Sequence, residues 1–201
     1  DWVDPKMYES MYNMTKYGHD IVICDYYMVK DGWESGSISK GYRGNNLGKK
    51  EVVLNSINPA LAWNKLYDRK FFELVKFADY WYEDIATTPI ILSYANSIGY
   101  LEIPLYYYRQ RFGSITSSTD KRTLSVIDAW ERVLKHVNKQ FFDEAIMAVC
   151  QSINAFLEFK PEFSDQYLMY AKKKSNEISN NYYYKEAVKN KSIRDLLGMK
   201  L

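Results

Sequence analysis

An acidic pair, Glu83-Asp84, lies between a lysine-bearing segment, Trp63-Asn64-Lys65-Leu66-Tyr67, and an arginine-bearing one, Tyr108-Arg109-Gln110-Arg111. These residue types suit a displacement in which a weak oxygen nucleophile loses a proton while a phosphate leaves. A carboxylate within hydrogen-bond reach serves as the base. Cations on the other side of the reacting atom hold the developing negative charge. Arg109 and Arg111 alternate, so on a strand both guanidiniums share one face and form a bidentate phosphate clamp. Gly113-Ser114-Ile115-Thr116 follows as a turn carrying hydroxyls and backbone donors. Each feature also has a structural reading. Acidic residues favour the first turn of a helix, Trp63 can anchor a core with Lys65 as surface charge, and the arginines can be solvated on an edge strand.

The same residues carry a resemblance. Asn58-Pro59, Trp63 to Tyr67, Tyr82-Glu83-Asp84, Pro104-Leu105-Tyr106-Tyr107-Tyr108-Arg109 and Gly113 to Thr116 occur in an order that resembles the family 2 glycosyltransferases, inverting enzymes of the GT-A fold. Asp1-Trp2-Val3-Asp4-Pro5 is similar to the segment that follows that family's Asp-x-Asp metal motif, and the resemblance spans residues 1–118. It implies that Asp84 is the general base and that Glu83 orients it or binds the acceptor. It directs Lys65, Arg109, Arg111 and Ser114 to the donor diphosphate and its cleft, and Trp63, Asn64, Trp81 and Tyr82 to the acceptor. Asp1 resembles the last acidic residue of the metal motif, beside a Mn²⁺ or Mg²⁺ cofactor. The implied reaction moves a sugar from a nucleotide-diphosphate-sugar to a saccharide or lipid-linked acceptor with inversion, in cell-surface polysaccharide synthesis. In that family a nucleotide-binding half precedes the position of Asp1. The resemblance therefore implies an acceptor-side half, incomplete as an enzyme.

These motifs must be positioned by 201 residues, enough for one large domain or two small ones. Helix followed directly by a buried strand suggests an α/β sheet. Asp4-Pro5 reads as a helix cap and first turn, with Met7, Met11, Tyr12 and Met14 as an apolar stripe ending at Gly18. Ile21 to Val29 reads as a strand buried on both faces, and the glycine-rich residues 30–50 as a hairpin tip or mobile loop. Pro59 to Leu74 and Glu83 to Tyr94 read as helices, and Ile98 to Arg109 as paired strands around Pro104. Ser117 to Asp120 is the expected boundary. Beyond it lies an α-helical extension, residues 119–201. Leu124 to Val137 and Phe142 to Leu157 carry helical stripes, Ser164 caps a third helix, and Tyr184 to Leu197 forms a fourth.

Composition limits the partners. Net charge is +2, which points to no polyanion, so nucleic acid is not an expected partner. From Asp165 to Leu201 eight Lys/Arg face four acids, which suits either a solvated helix face or an anionic membrane surface. Cys24 and Cys150 read as buried thiols, and a cytoplasmic, membrane-peripheral setting fits them. His19 and His136 have no metal-ligand spacing. The rival to the enzyme reading is a non-catalytic module. It would bind carbohydrate through the 19 tyrosines and five tryptophans, or a protein or membrane through the basic tail.

Overall fold

The computed structural model describes residues 1–30, 36–44, 46–111, 113–115 and 118–189. They form a mixed five-stranded sheet with helices, an α/β architecture. The sheet runs β1 (Trp2–Val3), β5 (Ile98–Gln110), β2 (Ile21–Lys30), β3 (Gly36–Ser39), with β4 (Lys65–Tyr67) also paired to β2. Its centre is the parallel pair β2 and β5, from Ile21 opposite Ile98 to Lys30 opposite Gln110. Residues 21–26 of β2 are buried throughout, as the apolar run Ile21-Val22-Ile23-Cys24 requires, and the carboxylate of Asp25 is buried with them. β2 returns through β3 as an antiparallel hairpin, whose connection lies outside the described residues.

Ile98 to Arg109 is a single strand, not two. Its register against β2 shifts at Asp25, which lies opposite Pro104. A proline has no N–H to give a ladder, and a bulge absorbs that loss without ending the strand. Pro59 to Leu74 is not one helix either. Leu66 pairs with Val22, so this segment supplies β4, followed by the short α3 (Phe71–Leu74). Pairing with β2 outweighs a weak helical pattern here.

Helix α1 (Met7–Thr15) packs Met7 and Met11 onto Val22, Cys24 and Leu105, while Tyr12 points to solvent. The Asp4 carboxylate accepts the Lys6 N–H at 2.8 Å in the turn before it, and Gly18, at φ 86, ends the segment that follows. α2 (Lys49–Leu54) and α4 (Glu83–Tyr94) cover the other face, burying Val52, Ile91 and Leu92 with Ile21 and Ile23.

Beyond residue 118 the chain is helical. Asp120 caps a 3₁₀ turn by accepting the Arg122 N–H at 2.8 Å, and α5 (Ser125–His136) follows. Then come α6 (Phe142–Phe159), α7 (Ser164–Lys173), α8 (Ser175–Asn180) and α9 (Tyr182–Lys189). Ser164 does not cap α7. Its hydroxyl donates back to the Pro161 carbonyl at 2.6 Å. The expected fourth helix is α9 as far as Lys189, and the rest of it, to Leu197, lies outside the described residues.

These helices share their core with the sheet-side segment. Trp130 of α5 is fully buried against Phe156, Tyr167 and Tyr170, and the same cluster contains Val53, Tyr82, Ile85 and Ile90. Cys24 and Cys150 are free thiols, both pushed up to about 12 by burial. Among the described residues no helix is long and apolar enough to cross a membrane.

Candidate functional site

The first turn of α4 presents the acidic pair. Tyr82 stands before the helix in the left-handed region, at φ 65, a conformation that costs a non-glycine residue about 1 kcal/mol or more. Its buried ring meets Phe156 edge-on at 5.3 Å. Ile85, Ala86 and Ile90 are buried in the same cluster. That packing fixes the helix start and leaves Glu83 exposed and Asp84 partly buried. Asp84 accepts its neighbour Ile85's N–H at 2.8 Å. Loss of water raises the Asp84 carboxyl to about 6. The Glu83 charge adds to that rise, and the Ile85 hydrogen bond and Lys65 work against it.

The facing wall is β4. Lys65 is 8% exposed, and its ammonium donates to Asn64 Oδ1 at 2.9 Å and to the Leu61 carbonyl. Burial lowers it to about 7, against the pull of Asp84. Asn64 is fully buried, and its Nδ2 donates to the Cys24 carbonyl at 2.8 Å. Both ends of that amide are engaged inside the protein, so Asn64 shapes the wall instead of reaching an acceptor. Lys65 is likewise committed inward and does not stand as a surface cation. Tyr67 is two residues along the strand, on the face of Lys65. Burial raises its phenol, and Asp84 adds to the rise. Lys65 and Tyr67 of β4 therefore stand within electrostatic reach of Asp84 on α4.

The aromatics divide. Trp63 is partly buried in a wall of rings, stacked on Tyr106 at 4.1 Å and Tyr108 at 5.3 Å, with Tyr26 edge-on at 4.9 Å. Trp81 belongs to the helical side. The Arg122 guanidinium lies 4.4 Å from its ring centre, and its carbonyl accepts from Ser125.

At the end of β5, Arg109 and Arg111 are both exposed, and Arg111 lies one residue past the strand. Ser114 is partly buried after Gly113, whose φ is 79, while Thr116 lies outside the described residues. The Asp1 carboxylate accepts from the Arg109 backbone N–H at 2.8 Å and the Tyr106 hydroxyl at 3.0 Å. Among the described residues no three His, Cys, Asp or Glu side chains gather as a metal site. The single Asp1 carboxylate would be one ligand of the octahedral oxygen set that Mg²⁺ takes.

Sequence reasoning missed two features. Tyr67 would have followed from strand parity with Lys65, had β4 been read as a strand. The buried Asp25 carries no local signal. It accepts from the Gly41 N–H at 2.8 Å and from the Tyr100 hydroxyl, tying the loop after β3 to β5. Elsewhere, Arg43, Lys49, Lys50, Gln151 and Tyr183 line a cleft of about 620 Å³ that contains none of the site residues above. Compared with protein-family models and with curated proteins, the chain matches neither.

Proposed function

We propose that this chain is the acceptor side of an inverting, GT-A-type glycosyltransferase, with Asp84 as general base. One observation carries the reading. A partly buried carboxylate at a helix start has its proton affinity lifted to about 6, close to the working range of a base at neutral pH. An acceptor hydroxyl hydrogen-bonded to Asp84 would surrender its proton as its oxygen attacks the anomeric carbon. Glu83, exposed beside it, would bind acceptor hydroxyls, and Trp63 in its stack of tyrosines would offer a flat apolar face to a saccharide. Arg109 and Arg111 are the cations for the donor diphosphate. The reading includes a donor-binding half outside these residues, which would supply the nucleotide and metal sites.

The test is Asp84→Asn in an enzyme containing both halves. Transfer should fall by about 10²- to 10⁴-fold with donor binding unchanged. Normal turnover would remove Asp84 from the role. The aromatic wall favours a second reading, a non-catalytic saccharide-binding module. That module would bind glycans without nucleotide and be indifferent to Asp84→Asn.

A further inference from the structure

A cleft of about 620 Å³ opens between α2 and the helical region, a size that suits a small metabolite. Arg43 and Lys50 line it from the sheet side, Gln151 from α6 and Tyr183 from α9. The loop that carries Arg43 is tied down. The buried Tyr42 donates its hydroxyl to the Asn46 carbonyl at 2.7 Å, and the Asn46 side chain accepts the Gly48 N–H at 2.7 Å. Gly44 lies so close to the Tyr42 ring that a methyl there would stand 1.9 Å from the hydroxyl oxygen.

Charge in this cleft is one-sided. Arg43 is exposed and, among the described residues, makes no ion pair. Lys50, also exposed, stands a loose 3.7 Å from Glu144, and that buried carboxylate already accepts the Tyr183 hydroxyl at 2.8 Å. Glu51, the only acid among the described lining residues, accepts the Asn46 N–H at 3.3 Å. Lys49 is engaged elsewhere, donating its ammonium to the Ala95 carbonyl. A neighbouring cleft shares Arg43, but its other cation, Lys40, is closed by an ion pair with Glu102 at 2.8 Å. A guanidinium fork beside a lysine ammonium suits a phosphate. The helical wall suits what the phosphate is attached to. Tyr183 is held by its hydroxyl on Glu144 and by its N–H on Asn181 Oδ1 at 2.9 Å, so its ring is a fixed, flat part of the lining. The Gln151 amide has no hydrogen-bond partner among the described residues and brings both donors and an acceptor.

We propose that this cleft binds a phosphate ester of a ring sugar, its phosphate held by Arg43 and Lys50 and its hydroxyls by Gln151 beside the Tyr183 ring. Hexose phosphates and mononucleotides share that chemistry. The proposal does not rest on the assignment of Asp84.

The experiment is calorimetric titration of this chain with glucose 1-phosphate, UMP, inorganic phosphate and glucose. An ester should bind at one site, about tenfold or more tighter than inorganic phosphate or glucose, and the tighter ester names the source. Arg43→Gln and Lys50→Gln, at exposed positions, should each weaken it by about tenfold. Gln151→Ala should weaken the ester and not inorganic phosphate. No saturable binding of either ester at millimolar concentration overturns the proposal. So does inorganic phosphate binding as tightly as the esters, or ester affinity unchanged in Gln151→Ala. Binding that survives Arg43→Gln and Lys50→Gln but is lost on replacing Arg109 and Arg111 would overturn it too, by placing the ester at the arginine segment.

Discussion

The burial of Asp84 works against the fold that holds it. Its carboxyl is raised from 3.8 to about 6, with burial the largest cause. The stability linked to this group is fully present below the unfolded value, and it is lost as pH rises through about 6. At pH 7 the charged carboxylate therefore destabilises the protein. Asp84→Asn should raise stability at pH 7 by on the order of 1 kcal/mol, and by little at pH 4. Thermal melts of both proteins at the two pH values check this, and equal melting shifts at both would contradict it. The place of Glu83 and Asp84 in the first turn of a helix was legible in sequence, because acidic residues favour that turn. The inward commitment of Asn64 was not, since its partner Cys24 is distant in the chain, and Lys65 bonds inward to Asn64 and Leu61 beside it.

Between elements, the decisive join is the corner where β2, β4 and the loop after β3 meet. Cys24 donates its N–H to the Asn64 carbonyl at 3.0 Å and accepts from the Asn64 side chain, while Gly41 closes over both. Gly41→Ala should therefore cost about 1–3 kcal/mol in denaturant unfolding. It should also disturb the Asn64 side chain that holds the Lys65 ammonium, without touching Asp84. A cost near zero would mean the loop yields freely. The helical reading of Pro59 to Leu74 failed at this same corner. β4 has three residues, and its pairing with β2 is a tertiary fact that no local period reveals. Pro104 misled in the opposite direction, suggesting a break where a register shift carries one strand through. The long helices α5 and α6 were legible because their stripes extend over several turns.

Across the whole molecule the sequence marks a change of character near residue 118, and the chain does turn from sheet to helices there. What it could not reveal is that the largest core crosses that point, with Tyr82 and Ile85 packed among Trp130, Phe156, Tyr167 and Tyr170. The start of α4, and Asp84 with it, is thus braced by the helical region. The tyrosines give this architecture an optical consequence. Burial is the first cause raising the phenols of Tyr42, Tyr67, Tyr100, Tyr167, Tyr170 and Tyr183. The fold favours these phenols uncharged, so the stability they add holds below the unfolded tyrosine value of about 10 and drains away as pH climbs beyond it. In an alkaline titration, the ultraviolet phenolate band of this set should grow in one steep step, together with the loss of helical circular dichroism, so the protein's own colour change reports when sheet and helices come apart.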